Sequence, residues 1–264
     1  MTRYILNQLI RNKILMVWPG MFLIATLLLM IYASTGFTDG IGYVIEIGEF
    51  VMPVEILMTV LTGSVVLIVL IALPTHLIIN TEPGRASLLF TKPISRTDFF
   101  ISDLSAVAII TFAYSIFSIL LFALFFLIKG TVFPGAILIG LAVLPLIVLA
   151  YYINILLLGL LFKNYLLTVF FCYILAAMSN FLFGVEDLFT AAGIELGSVL
   201  VVIDIAKYLI PGVGPASALS ESFFRSSGEA LNFGFQNFQL LFHYFISLIP
   251  FTAWAFYIIK KKKF

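Results

Sequence analysis

The chain has 264 residues, of which 62% are hydrophobic and only 10% are charged, whereas about a quarter of the residues in a typical soluble domain are charged. Its 14 Lys and Arg nearly balance its 13 Asp and Glu, and the resulting net charge of +1 excludes a polybasic nucleic-acid-binding protein and an acidic disordered tail. A single cysteine, Cys172, excludes an internal disulfide framework and a cysteine-based zinc site. The composition therefore predicts an all-α polytopic membrane protein that lies in a lipid bilayer and has no nucleic-acid partner.

The first 13 residues predict an amphipathic helix. One helical face carries Ile5, Leu6, Leu9 and Ile10, and the other carries Arg3, Asn7, Gln8 and Arg11. Such a helix lies in the cytoplasmic interface of a membrane before the chain turns into it near Pro19. Two interpretations stay open: an elbow helix with a role of its own, or a simple anchor for the start of the chain. The apolar run that follows is too long for the h-region of a cleavable signal peptide.

Six windows free of Asp, Glu, Lys and Arg follow along the chain, and each is at least 22 residues long. They cover residues 14–38, 56–81, 104–128, 130–162, 164–185 and 230–259. About 20 apolar residues suffice for a helix to cross the hydrocarbon core of a bilayer, and backbone polar groups in lipid favour the helical form. We therefore predict six transmembrane helices in a single transmembrane domain, residues 1–264.

The positions of the basic residues predict the orientation. With an even number of spans both termini lie on one side, and with the N-terminus inside 11 of the 14 Lys and Arg are cytoplasmic. These 11 are Arg3, Arg11, Lys13, Arg85, Lys92, Arg96, Lys163, Lys260, Lys261, Lys262 and Lys263, which leaves Lys129, Lys207 and Arg225 outside. Cytoplasmic loops favour Lys and Arg, so we predict a multi-pass protein of the cell (plasma) membrane with both termini in the cytoplasm.

The segment between the fifth and sixth windows, residues 186–229, is predicted to be helical and extracytoplasmic. Its most apolar part, residues 190–210, also contains Glu195, Asp204 and Lys207. Each charge at the centre of a span raises the free energy of membrane insertion by about 2.5–3.5 kcal/mol, whereas each Leu, Ile or Val lowers it by only about 0.3–0.6 kcal/mol. We therefore expect an external or a re-entrant helical segment here and no seventh span.

The motifs of known enzymes are missing from the sequence. It contains no G-x-x-x-x-G-K-[ST] for nucleotide binding and no H-E-x-x-H for zinc. The two histidines, His76 and His243, fall near opposite ends of their predicted spans, so they cannot share a haem iron, and we expect each to be satisfied by water or by a neighbour. The six windows hold no Asp, Glu, Lys or Arg for an ion-coupled transport site. We therefore expect no catalytic, cofactor-binding or metal-binding residue, and an intramembrane enzyme is disfavoured.

Neutral polar side chains in the spans are candidates for a pathway or for helix interfaces. One face of the third span, at i, i+3, i+4 and i+7, carries Thr111, Tyr114, Ser115 and Ser118. Asn154 and Asn180 lie in the next two windows. Such side chains commonly hydrogen-bond between packed helices, so we favour helix packing over contact with a cargo. The positions where we expect aromatic belts carry Tyr43, Tyr151, Tyr152, Tyr165, Tyr244 and Tyr257.

The stretch between the second and third windows is the most distinctive part of the chain. Residues 82–100 read EPGRASLLFTKPISRTDFF. Pro93 prevents a continuous helix, and Ser95-x-x-Asp98 predicts a capping box that opens the third span. Arg85, Lys92 and Arg96 also cluster with Glu82 in this short loop. The bias of cytoplasmic loops towards Lys and Arg explains only part of that clustering.

This stretch resembles the permease subunits of ABC-2 type exporters. Their loop typically runs as an acid, a Gly, a pair of leucines, Lys-Pro-[Ile/Val]-Ser-Arg and an aromatic or aliphatic pair. The matching positions are Glu82, Gly84, Leu88, Leu89, Lys92, Pro93, Ile94, Ser95, Arg96 and Phe99. The elbow helix, the six spans and the helical segment between the last two spans fit the same family. One departure is that the Gly-Lys pair that often follows the Arg is replaced here by Ser102 and Asp103.

The resemblance implies a permease that forms the translocation pathway for an amphipathic or hydrophobic cargo, such as a peptide, a lipid-like molecule or a drug. In the family, ATP and Mg²⁺ are bound by a separate ATPase (nucleotide-binding) subunit, on which the elbow helix, residues 1–13, and the coupling loop, residues 82–103, rest. The coupling residues implied are Glu82, Gly84, Arg85, Leu88, Leu89, Lys92, Pro93, Ser95 and Arg96. The family also implies a dimer with a second permease copy or a paralogue.

A second hypothesis stays open, in which the chain is a non-transporting membrane scaffold or sensor that recruits a cytoplasmic partner through the same loop. Neither hypothesis places a catalytic group in this chain. Co-purification separates the two, because only the exporter requires a stoichiometric nucleotide-binding partner.

Overall fold

The computed structural model describes residues 1–38, 42–81, 95–129, 135–193, 197, 199–209, 212–225 and 235–261. The N-terminal part contains helices α1 (Thr2–Ile10), α2 (Val17–Tyr32) and α3 (Val54–Thr81), with strands β1 (Ser34–Thr38), β2 (Gly42–Ile47) and β3 (Phe50–Pro53) between α2 and α3. The remainder contains α4 (Arg96–Lys129), α5 (Gly135–Ala142), α6 (Leu144–Phe162), α7 (Tyr165–Ala191), α8 (Val199–Leu209), α9 (Val213–Arg225) and α10 (Phe235–Lys261). The described residues are therefore mostly helical, as the sequence predicts.

Among the described residues, five helical segments are long and apolar enough to cross a membrane. They are Val54–Pro74, Thr97–Lys129, Gly135–Phe162, Tyr165–Val185 and Gln236–Lys261. The shortest has 21 residues, which corresponds to about 31 Å of helix against a hydrocarbon core of roughly 30 Å. Five of the six charge-free windows thus contain a helix of spanning length, and the prediction of a multi-pass membrane protein is confirmed.

The first window differs from the other five. Its helix, α2, has 16 residues and a length of about 24 Å, which is less than the roughly 30 Å of a hydrocarbon core. The helix stops because Ala33 adopts an extended conformation, with φ −105° and ψ 146°, and the chain continues directly into β1. Residues 14–38 therefore carry no charge but do not form one continuous helix.

A small sheet that the sequence analysis did not predict follows α2. Strands β1, β2 and β3 form an antiparallel meander in that order, in which Ile45 pairs with Thr35 on one side and with Met52 on the other. The turn from β2 to β3 uses Gly48 at φ 62°, a left-handed conformation that Gly adopts without steric cost. Val44 and Ile45 are buried, so the central strand contributes to the hydrophobic core.

Helix α1 has the amphipathic character that the sequence predicts. Ile5 and Leu9 are completely buried, whereas Arg3, Asn7 and Arg11 are exposed. The buried face packs against α4. Protein therefore covers the centre of the apolar face of α1.

Helix α6 lies at the centre of the helical bundle. Fifteen of its 19 residues are buried, and it contacts α3, α4, α7, α9 and α10. Its sequence is apolar on every face, which is the pattern of a helix surrounded by other helices. Because Lys163 ends α6 in a left-handed conformation with φ 52°, the chain turns at once into α7.

The segment between the fifth and sixth windows contains two short helices. Helix α8 has 11 residues, about 16 Å, and is too short to cross a membrane. Its Lys207 is buried and pairs with Asp204 at 3.0 Å, so its two charges offset one another. Helix α9 packs among the spans and contacts α5, α6, α7 and α10.

Two glycines allow α9 to approach its neighbours closely. A Cβ atom at Gly140 of α5 would overlap the ring of Phe224, and one at Gly214 of α9 would lie 2.6 Å from the hydroxyl of Ser179. The backbone N–H of Gly214 donates to this hydroxyl at 2.8 Å, and the Ser220 hydroxyl donates to the carbonyl of Gly140 at 3.1 Å. These contacts fix both ends of α9 between α5 and α7.

We predict that Gly140→Ala lowers the stability of the folded chain, because the added methyl group displaces the buried Phe224 ring, and overpacking of this kind costs about 1–3 kcal/mol. Gly63→Ala in α3 is the matched control, since a Cβ there meets no atom within 4 Å. Thermal unfolding of the full chain in detergent measures both variants. Equal midpoints for the two variants would contradict the packing described for α9.

Candidate functional site

The strongest candidate site is a buried polar cluster of three side chains, His76 of α3, Asp103 of α4 and Tyr152 of α6. Their exposed fractions are 8%, 1% and 0%. His76 Nε2 lies 3.1 Å from Asp103 Oδ1, and the Tyr152 hydroxyl donates to Asp103 Oδ2. The cluster thus joins three helices that are distant in sequence through one carboxylate.

The hydrogen bonds of the cluster offset a large desolvation cost. A carboxylate that is buried without partners costs several kcal/mol. Here each oxygen of Asp103 has its own donor. An ionised carboxylate only accepts hydrogen bonds, so with Asp103 in that form the donor in the contact is Nε2 of His76. A protonated His76 makes this contact an ion pair, and a neutral one makes it a charge-assisted hydrogen bond.

The cluster lies close to the ends of α3 and α4 that face one another along the chain. His76 precedes the end of α3 at Thr81 by about 8 Å, and Asp103 follows the start of α4 at Arg96 by about 11 Å. The chain between these two ends is the loop that carries the distinctive motif. The cluster therefore ties together the two helices that flank this loop and connects both of them to the central helix α6.

The cluster can hold three helices together, and it can bind a proton. Among the described residues there is no group of three or more His, Cys, Asp and Glu that could hold a metal ion. His76 and Asp103 can share one proton, with Tyr152 as a fixed donor. Ionisable side chains at such positions in membrane proteins are commonly functional.

The sequence analysis placed the members of this cluster differently. It assigned Asp103 to the coupling loop, whereas the structure buries it inside α4. It assigned Tyr152 to an aromatic belt, which is wrong because the ring is completely enclosed. Its expectation that His76 is satisfied by a neighbour is confirmed, and the neighbour is Asp103.

A pattern that reveals Asp103 is present in the sequence. The buried positions at the start of α4 are Phe99, Phe100, Asp103, Ala106, Val107 and Ile110. They follow the i, i+3, i+4, i+7 spacing of one helical face. An acid on such a stripe must find partners on the helices that cover it.

Most of the predicted coupling residues lie outside the described residues. These are Glu82, Gly84, Arg85, Leu88, Leu89, Lys92 and Pro93. Arg96 is the first residue of α4, and its side chain is also outside the described part of the chain. Ser95 is described: its hydroxyl accepts the backbone N–H of Asp98 at 3.0 Å and donates to the Asp98 carboxylate at 2.6 Å. The predicted cap at the start of the third span is therefore present.

The polar stripe of α4 faces protein. Thr111, Ser115 and Ser118 are buried. Thr111 and Ser118 donate to carbonyls of their own helix, at 3.0 and 2.8 Å, whereas Ser115 donates to the carbonyl of Leu141 in α5 at 2.8 Å. The Tyr114 ring packs edge-on against Trp18 of α2. The stripe therefore lies between α4 and its neighbours α2 and α5.

The two candidate asparagines lie in different surroundings. Asn154 of α6 is buried, and within the described residues neither its amide nitrogen nor its oxygen has a hydrogen-bond partner. Asn180 of α7 is exposed and lines an open cleft of about 760 Å³ between α7, α9 and the start of α10. This polar cleft is lined by Asn180, Phe183, Gly184, Leu188, Gly214, Ser217, Ala218, Glu221, Ser222 and Gln236.

No family model matches the chain, and no curated protein matches it. The assignment of a function therefore depends on the chain's own residues. The features that bear on this assignment are the buried polar cluster, the capped start of α4 and the polar cleft.

We predict that Tyr152→Phe destabilises the protein by about 1–3 kcal/mol, because it leaves one buried oxygen of Asp103 without its donor. Tyr151→Phe removes the hydroxyl of the adjacent residue, which is not bonded to this carboxylate, and serves as the matched control. Thermal unfolding of both variants in the same detergent measures the difference. If Tyr152→Phe were as stable as Tyr151→Phe, the hydrogen bond to Asp103 would not stabilise the fold.

Proposed function

We propose that the chain is the membrane-spanning permease subunit of an ATP-driven ABC-2 type exporter, which moves an amphipathic or hydrophobic cargo and is coupled to a separate ATPase subunit that binds ATP and Mg²⁺. The observation that carries this proposal is the position of the buried polar cluster. It links the two helices on either side of the loop whose sequence resembles the ABC-2 coupling loop.

The coupling argument follows from the connections of these helices. A force on the loop between Thr81 and Ser95 acts on the end of α3 and on the start of α4. The carboxylate of Asp103 holds both helices and α6 together. Because α6 also contacts α7, α9 and α10, a movement of the loop would reach the helices that line the polar cleft.

We propose that the exposed polar face of α1 forms part of the docking surface for the ATPase, together with the loop between α3 and α4. Its apolar face packs on α4, and Arg3, Asn7 and Arg11 of its polar face are exposed. In the proposed orientation both termini are cytoplasmic, in a plasma membrane. This orientation requires a sixth crossing by the segment that contains α2, although the helix itself has only 16 residues. The 11 basic residues on the inner side favour this orientation.

The polar cleft is the region where we propose that cargo is handled. Its lining combines the apolar side chains of Phe183 and Leu188 with the polar side chains of Asn180, Ser217 and Gln236. A volume of about 760 Å³ is in the range of small-molecule sites. A mixed lining of this kind suits an amphipathic cargo better than a small ion. The functional unit would be a dimer with a second permease copy or a paralogue.

The proposed function is tested by purification of the full chain from its native membrane in mild detergent. We expect a nucleotide-binding ATPase to co-purify in a fixed ratio and the complex, reconstituted in liposomes, to hydrolyse ATP and transport its cargo. A chain that always purifies without an ATPase would contradict the exporter. A stable partner that binds no nucleotide would instead support a scaffold or sensor.

In the same complex we expect Asp103→Asn to keep ATP hydrolysis but to lose at least about 90% of ATP-dependent transport, because the helices flanking the loop are no longer joined by a charged group. Asp98→Asn is the matched control, since this exposed acid lies on the same helix but contacts only Ser95 among the described residues. Equal transport by the two variants would contradict the role of the cluster in coupling.

A further inference from the structure

We propose that an apolar groove between α4, α6 and α10 binds an acyl chain of an anionic phospholipid from the surrounding bilayer, with the lipid headgroup at Lys260 and Lys261. The groove has a volume of about 650 Å³. It is lined by Leu104, Ser105, Ala108, Leu146, Leu149, Ile153, Tyr244, Phe245, Leu248, Ile249, Thr252, Ala253 and Phe256. The proposal depends on the membrane-spanning helices and not on the exporter function.

The chemistry of the groove suits a hydrocarbon chain. Three of its lining side chains carry polar atoms, and each of these is bonded to backbone. The hydroxyls of Ser105 and Thr252 donate to carbonyls of their own helices at 2.7 and 2.8 Å, and that of Tyr244 donates to the carbonyl of Leu146 at 2.8 Å. The groove therefore offers no free hydroxyl proton to a polar ligand, and an apolar ligand leaves none of these groups unsatisfied.

The groove is long enough to hold an acyl chain. From Tyr244 to Phe256 it follows α10 for roughly 18 Å, and one leaflet contributes about half of the roughly 30 Å hydrocarbon core. The hydrogen bond between Tyr244 and Leu146 joins α10 to α6 at the end of the groove that lies farther from Lys260. A chain in this groove would lie along the helices, as acyl chains do in a leaflet.

The groove is open towards lipid along one edge. Phe245 and Ile249 of α10 are 55% and 64% exposed, and Ala253 on the same edge is also exposed. The opposite wall is formed by α4, with Leu104 and Ala108, and the floor by α6. An acyl chain can therefore enter sideways from the bilayer without unfolding any helix.

The end of the groove near Phe256 lies close to two lysines at the C-terminal end of α10. A separate small cavity shares Phe256 with the groove and extends to Phe100 and Ile259, and Ile259 is followed by the exposed Lys260 and Lys261. The Nζ atom of Lys261 lies 4.6 Å above the ring of Tyr257, within the range of a cation–π contact, so its charge stays at the end of α10. Basic residues at a membrane surface attract anionic headgroups.

Among the described residues near the same end of the bundle, one acid is exposed. Asp98, in the first turn of α4, accepts the Ser95 hydroxyl at 2.6 Å, and its charge at a helix N-terminus is favourable to the helix. The end of α10 carries two positive charges against this one negative charge. The charges at the mouth of the groove therefore favour an anionic lipid over a zwitterionic one.

The test is a lipid titration of the detergent-solubilised full chain, followed by native mass spectrometry. The probes are phosphatidylglycerol and phosphatidylcholine with identical acyl chains. We expect the wild-type chain to bind phosphatidylglycerol roughly tenfold more tightly, the preference expected from two surface lysines. Equal affinities for the two lipids in the wild-type chain would overturn the anionic assignment.

Two variants locate the site. Ala253→Trp fills the groove, and we expect it to weaken binding of both lipids at least about tenfold, since the tryptophan occupies space that the acyl chain needs. Ala113→Trp, at an exposed alanine of α4 outside the groove, is the matched control and should bind both lipids like wild type. If Ala253→Trp also bound both lipids like wild type, the groove would not be the binding site.

The headgroup contact is tested separately with surface variants that do not alter packing. The double variant Lys260→Gln and Lys261→Gln should lose the preference for phosphatidylglycerol while it keeps its affinity for phosphatidylcholine. Lys163→Gln, at an exposed lysine between α6 and α7, should keep the preference. A double variant that still prefers phosphatidylglycerol tenfold would overturn the assignment of the headgroup to the end of α10.

Discussion

Burial of the Asp103 carboxylate is the constraint on which the packing of the central helices depends. Removal of one donor from a buried polar group costs about 1–3 kcal/mol, so α3 and α6 must both present a donor to α4. A slip of one residue along α3 would move His76 by roughly 1.5 Å and turn it by about 100°, which would break its contact with Asp103. The cluster therefore selects one register among helices whose other contacts are mainly apolar.

Successive residues of α6 serve different parts of the molecule. Tyr152 bonds the buried carboxylate, Ile153 lines the floor of the apolar groove, and Asn154 points its amide into another part of the interior. Each residue of a helix is turned by about 100° from the one before it, so a helix that is buried on all sides can contact several neighbours at once. For this reason the cluster and the groove share the same central helix.

Much of the helical architecture could be predicted from the sequence because it depends on local composition. Six charge-free windows predict six spanning helices, and five of these are present at spanning length among the described residues. Ser95 with Asp98 predicts the start of α4. The sheet at residues 34–53 could not be predicted in this way, because the absence of charge does not distinguish a strand from a helix. The cluster joins residues 76, 103 and 152, and sequence spacing identifies the buried face of each helix but not which faces meet. Asp103 could have been suspected from its place on an apolar stripe, whereas its partners are a property of the tertiary structure.

The measurement that tests this account most directly is a double-mutant cycle on the free energy of unfolding, with Asp103→Asn, Tyr152→Phe and both together in the full chain. Residues that share a buried hydrogen bond show coupling energies of about 0.5–3 kcal/mol, whereas independent sites are additive within about 0.3–0.5 kcal/mol. If Asp103 holds α4 and α6 together, the coupling energy should be at least about 1 kcal/mol. Additive effects of the two substitutions would contradict the central role of the cluster.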